Sequence, residues 1–163
     1  MSSFDTIKSK LNGIKNRGFV ETLRSGNTGV GYTLEALLEI DENNDSGSDY
    51  DGHEIKAKRR KSSSAKITAF TQAPIYLSKP KNFVKKYGDW KTDKNRFNLY
   101  STVSFIKPNS HGLLLCFEQD PVHGETLCIQ STKNNEILCK WPMSVLAFRQ
   151  EQKLSKVILV LAE

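Results

Sequence analysis

No stretch of this 163-residue chain approaches the roughly 20 consecutive apolar residues of a membrane-spanning helix. Its longest apolar runs, 112–117 and 157–162, have six residues each. Residues 1–18 interleave apolar positions with lysines, so they lack the continuous apolar core of a secretory signal. On these grounds neither a membrane protein nor a secreted one is expected, and a cytoplasmic location is. Cysteine is scarce too. Cys116, Cys128 and Cys139 form no CxxC pair and leave an odd number, which excludes a disulfide framework or a zinc knuckle. Each sits in an apolar, strand-like run and reads as a reduced core thiol in a reducing compartment. Internal repeats, low-complexity tails and coiled-coil heptads are absent as well.

The charge is unevenly placed. Overall there are 24 Lys and Arg against 18 Asp and Glu, a net of +6. Between residues 35 and 54, however, there are eight acids (Glu35, Glu39, Asp41, Glu42, Asp45, Asp49, Asp51, Glu54) and no Lys or Arg. The rest of the chain sets 24 basic against ten acidic residues, a net of +14. Lys56, Lys58, Arg59, Arg60 and Lys61 follow at once. A basic frame attracts a polyanion by counterion release, whereas an acidic island needs cations to be tolerated beside it.

Hydrophobic spacing gives a coarse map. Phe4, Ile7, Leu11 and Ile14 recur every three or four residues, predicting an amphipathic helix that ends near Gly18. A glycine-punctuated connection follows, with Thr33 as the expected N-cap of a second helix whose stripe is Leu34, Leu37 and Leu38. Residues 41–52 read as a loop and 53–58 as a strand, turned by 62–64 into a partner strand at 65–71. Partial helix is expected over 82–94, then strands at 98–107, 112–118, 125–130 and 136–141. A helix over 143–152 and a strand of buried type over 156–161 close the chain. Tyr87, Trp90 and Trp141 are expected as core aromatics. The fold class is α+β, a mixed sheet flanked by helices.

One constellation carries chemistry. On a strand, period two places Glu54 and Lys56 on one face, with His53 on the other as a structural residue. Asp49 lies five residues upstream of Glu54, close enough to bend back, and Glu35 sits on the preceding helix. Convergent carboxylates form a hard, oxygen-rich site for Mg²⁺. Such an ion neutralises a scissile phosphate and acidifies water, while a neighbouring lysine holds that water and counters developing charge. This is the logic of D…ExK nucleases.

The longer string is more specific. GVGYTLEALLEIDENN, SDYDGHEIKAKRRKSSS and ITAFTQAP, followed by KKYGDW, LYSTVSF and KLSKVILVLAE, resemble the MvaI/BcnI-type restriction endonucleases. The likeness extends more remotely to the MutH-like nicking endonucleases of mismatch repair. The resemblance implies a PD-(D/E)xK nuclease core and Mg²⁺-dependent hydrolysis of double-stranded DNA at a short sequence. It places the family's helix glutamate on Glu35, its metal-binding aspartate on Asp49, and its ExK pair on Glu54 and Lys56. Asp49 and Glu54 are the implied metal ligands. Ser48 stands where the motif usually has proline, Glu39 stands where the helix often has a small residue, and Asp51 is a rival to Asp49.

Arg24, Ser25 and Asn27, with Lys58, Arg59, Arg60 and Lys61, are the expected DNA-backbone contacts, which position a duplex without reading its sequence. Residues 1–163 are expected to form a single nuclease domain cut short at its C-terminus, because the family's base-reading lobe lies further on. A monomer is expected, with double-stranded DNA as partner and a cognate DNA methyltransferase as genetic partner. The alternative expectations are a DNA-binding module with a decayed site and a MutH-like nicking enzyme.

Overall fold

The computed structural model describes residues 3–26, 28–40, 49–61 and 66–163. Residues 41–48 of the loop expected over 41–52, Ser48 among them, and the expected turn at 62–64 lie outside them. The chain forms two compact units, one from Met1–Thr71 with Arg149–Glu163 and the other from Gln72–Phe148.

In the first unit, helix α1 (Ser3–Asn16) has Asp5 in its first turn and Lys15 in its last, as the helix dipole favours. Three of the four stripe residues turn inward, Ile7 fully buried with Leu11 and Ile14 packed beside it, while Phe4 is half exposed. Helix α2 (Gly29–Leu37) contributes Leu34 to the same core, its C-cap contributes Leu38, and strand β1 (Glu54–Arg59) contributes Ile55.

The start of α2 corrects the expectation for Thr33. The helix begins a turn earlier, with Thr28 at the N-cap, and Thr33 is buried inside it. The Thr33 hydroxyl is used by the preceding loop instead: Oγ1 accepts the Leu23 N–H at 3.0 Å and lies 3.3 Å from Thr22 Oγ1. Gly29 permits that approach, since a Cβ there would sit 2.0 Å from the Arg24 carbonyl oxygen.

A second correction concerns the partner of β1. Residues 66–71 form no strand. Instead β1 pairs in parallel with β8 (Val157–Ala162), Glu54 opposite Val157 and Arg59 opposite Ala162. Strand β8 supplies Ile158 and Val160 to the core, a larger apolar contribution than the short alternation at 66–71 offers. The strand is not wholly buried, however. Val157, Leu159 and Leu161 are 46–55% exposed on its outer face.

The second unit is built on a four-stranded antiparallel sheet in the order β2 (Ile75–Tyr76), β7 (Ile137–Pro142), β6 (Gly124–Ser131), β5 (Leu113–Asp120). Its three long strands fall where alternation predicted them. Asp120 closes the β5–β6 turn by accepting the N–H groups of Val122 and His123, both at 2.9 Å. Helix α3 (Pro80–Tyr87) starts on proline, which costs a helix nothing at that position. It presents Phe83 and Tyr87 to Leu113 and Leu138. A hairpin of β3 (Asp89–Lys91) and β4 (Arg96–Asn98) follows.

The strand expected over 98–107 is irregular beyond Asn98. Asn109 Nδ2 donates to Ser101 Oγ at 2.9 Å and to the Thr102 carbonyl at 3.3 Å, which draws the segment out of a ladder. Trp90, expected in the core, is half exposed and packs edge-on against Phe97. Tyr87 is buried, while Trp141 donates its indole N–H to the Gln72 carbonyl at 2.9 Å. Helix α4 (Met143–Leu154) carries the chain back to the first unit. The cysteines are free thiols, Cys128 and Cys139 buried and Cys116 half-buried. The architecture is α+β, as expected.

Candidate active site

Strand β1 begins at the site. A two-residue turn over Asp51 and Gly52, with φ of +41° and +81°, is closed by the Tyr50 N–H to His53 O bond at 3.0 Å and its reciprocal at 2.8 Å. Positive φ at both central residues is the hairpin turn that matches strand twist, and glycine makes it accessible. The turn folds Asp49 back along β1, where its Oδ2 accepts the Ile55 N–H at 2.8 Å. Asp51, the rival aspartate, is exposed in the turn, and its carbonyl faces His53 Nδ1 at 3.2 Å. His53 is buried, its ring centroid 6.1 Å from that of Phe4, as expected of a structural residue.

Glu54 starts the parallel pairing by donating its N–H to the Lys156 carbonyl at 2.8 Å. Its side chain is only 3% exposed. One carboxylate oxygen, Oε1, is ion-paired with Lys56 Nζ, two residues along the same face. The other, Oε2, is buried and receives no hydrogen bond. A buried carboxylate oxygen in that condition carries a desolvation cost unless a cation meets it.

The cation beside it is one that sequence reasoning missed. Lys153, in the last turn of α4, places Nζ 3.3 Å from Glu54 Oε2 and 3.8 Å from Asp49 Oδ1, with its side chain 13% exposed. Its local signal is that of any lysine at a helix C-terminus, where it complements the dipole. Only the return of the chain through Lys156 onto β1 reveals its second role.

Of the other sequence-selected residues, Glu35 is half-buried on α2. Its Oε1 is turned back towards Gly31, where a Cβ would lie 3.9 Å away. Lys58 is half-buried on the Glu54–Lys56 face of β1, and Arg59 and Lys61 are exposed. Arg60 donates Nη1 to Glu163 Oε1 at 3.1 Å. Arg24 stacks its guanidinium 3.7 Å from the centre of the Tyr32 ring, and Ser25 is exposed. Asn27 lies outside the described residues.

Among the described residues no cluster of three or more His, Cys, Asp and Glu gathers as a ligand set. The Asp49 and Glu54 carboxylates both approach Lys153 Nζ, at 3.8 and 3.3 Å, and this pair, with Oε2 receiving no hydrogen bond, would fit a hard divalent cation that takes its remaining ligands from water. A cavity of about 300 Å³ in the second unit is lined by Lys86, Tyr87, His111 and Lys133 among others, and by none of the residues expected to bind metal or DNA.

The frame that holds this site is the restriction-endonuclease fold. The solved structure titled "Restriction endonuclease MvaI-cognate DNA substrate complex" is similar to this chain with a TM-score of 0.80 and 26% identity, over all of this chain and 68% of that one. The model of the MvaI/BcnI restriction endonuclease family matches residues 8–163, and the chain belongs to that family. Comparison with curated proteins gave no match.

Proposed function

We propose that the chain is a site-specific, type II endonuclease that hydrolyses phosphodiester bonds of double-stranded DNA with Mg²⁺, through a PD-(D/E)xK site. The observation that carries this reading is the buried Glu54 carboxylate, ion-paired with Lys56 and sharing Lys153 with Asp49, its Oε2 receiving no hydrogen bond, in a chain of the MvaI/BcnI restriction endonuclease family. The similar MvaI structure, a complex with cognate DNA, supports duplex DNA as the partner.

In this reading Asp49 and Glu54 hold Mg²⁺, which when bound neutralises the scissile phosphate and lowers the pKa of water in its shell. Asp49 is held for this by the Ile55 N–H, and Glu54 by its burial at the start of β1. Lys56, anchored on Glu54 Oε1, orients the attacking water and stabilises the charge that builds on the phosphate oxygens. Glu35, on α2, assists metal binding or orients Lys56. Water oxygen bonds to phosphorus, the P–O3′ bond breaks, and a proton passes to the leaving oxygen. A 5′-phosphate and a 3′-hydroxyl result. Lys58, Arg59, Arg60 and Lys61, with Arg24, Ser25 and Asn27, contact phosphates along the duplex. We further propose that residues 1–163 act as one monomeric catalytic unit in the cytoplasm, beside a cognate DNA methyltransferase.

Supercoiled plasmid incubated with and without Mg²⁺ tests the reading. Discrete Mg²⁺-dependent fragments are expected, with loss of at least about 100-fold in rate for Glu54→Ala and for Lys56→Ala. Intact plasmid in the presence of folded, DNA-binding protein would overturn it.

A further inference from the structure

The geometry points to Lys153 as a built-in counter-cation that holds the Asp49–Glu54 carboxylate pair together before a divalent metal arrives and competes with that metal for it. This inference rests on the metal-binding role proposed for the pair.

Two carboxylates converging on one point repel each other, and Glu54 is almost fully buried. Lys56 answers only one of its oxygens, Oε1. The other faces Lys153 at 3.3 Å, without the alignment of a hydrogen bond. The same ammonium lies 3.8 Å from Asp49 Oδ1, so it stands between the two carboxylates, where a cation bridging them would be drawn. Its place is set by the fold. Three residues beyond it, the Lys156 carbonyl accepts the Glu54 N–H, which ties the end of α4 to the start of β1. A flexible four-carbon stem allows such an ammonium to withdraw when a stronger cation enters. In this arrangement Lys153 positions the carboxylates and sets their metal affinity, and it need not touch the substrate.

The test compares the full chain with Lys153→Met and Lys153→Arg, by thermal unfolding in EDTA and with Mg²⁺ or Ca²⁺, and by calorimetric titration with either ion. Removing a like charge within 4 Å of a cation should tighten ion binding about tenfold in Lys153→Met. That variant should also unfold at lower temperature in EDTA and recover most of the deficit when the ion is added. Lys153→Arg should stay near the parent in EDTA. Should Lys153→Met fail to fold in EDTA, the inference requires that Ca²⁺ restore folding, and failure in both conditions overturns it. Equal destabilisation with and without ion, at unchanged affinity, also overturns it and leaves a plain salt bridge. If the parent's ion response is abolished by Asp49→Asn but unchanged in Lys153→Met, this inference alone fails. If neither the parent nor Lys153→Met responds to any ion, the metal site itself fails.

Discussion

The Ile55 N–H donates to Asp49 Oδ2 at 2.8 Å, across a turn of two positive-φ residues. A carboxylate proposed for chemistry is thus also part of the backbone hydrogen bonding at the head of β1, and the two uses can be separated.

Asparagine keeps an oxygen that can accept from Ile55 but loses the charge, whereas alanine loses both. Asp49→Asn should therefore unfold near the parent midpoint in urea. Asp49→Ala should lose about 1–3 kcal/mol, since the amide of buried Ile55 is left without its charged acceptor. Both should lose plasmid cleavage to a similar degree. Retained cleavage in Asp49→Asn would remove Asp49 from the proposed site.

The basic run beyond the site should act on affinity without altering sequence preference. Neutralising Lys58 and Arg59 together should flatten the dependence of log Kd on log salt by up to about two phosphate contacts. Filter binding or anisotropy with two unrelated duplexes, in Ca²⁺ to prevent cutting, measures this. An unchanged slope would make the run a solvated surface.

Gly29 holds the loop at Thr22–Arg24 against α2, because a Cβ at that position would meet the Arg24 carbonyl at 2.0 Å. The contact is with backbone, so the loop or the helix must move. Gly29→Ala should cost about 1–3 kcal/mol, read by chemical denaturation, and Gly31→Ala should cost far less, since among the described residues its Cβ would meet only Glu35 Oε1, at 3.9 Å.

The second unit carries a pH-sensitive pair. Lys140 beside Asp120, followed by the N–H groups of His123 and Val122, holds the Asp120 carboxyl down from 3.8 to about 2. The folded state thus binds that proton more weakly than the unfolded chain. The stabilisation is fully present above the unfolded pKa and drains away as pH falls from about 4 towards about 2. Asp120→Asn should flatten the decline of the thermal midpoint across this window. An identical decline in both proteins would show that Asp120 has no part in it.

Much of the local architecture was legible because it follows short periods. The stripe of α1, the three long strands at 113–142 and the shared face of Glu54 and Lys56 all follow from 3.6- or two-residue spacing. Thr33 was misread because its hydroxyl, well suited to capping, was engaged by Leu23, ten residues away. The segment 98–107 was misread because the side-chain bonds of Asn109 outweighed its strand propensity.

By itself, the sequence determined the carboxylate–lysine strand, the acidic window and the basic run after it, because covalent neighbours and strand period set those relations. Only the tertiary structure decided that β1 pairs with β8, about a hundred residues away, and that Lys153 thereby reaches Asp49 and Glu54. Parallel pairing has no turn to announce it and needs a long crossover. A single lysine at a helix end carries no pattern of its own, and it acquires a partner only when two distant segments share a sheet.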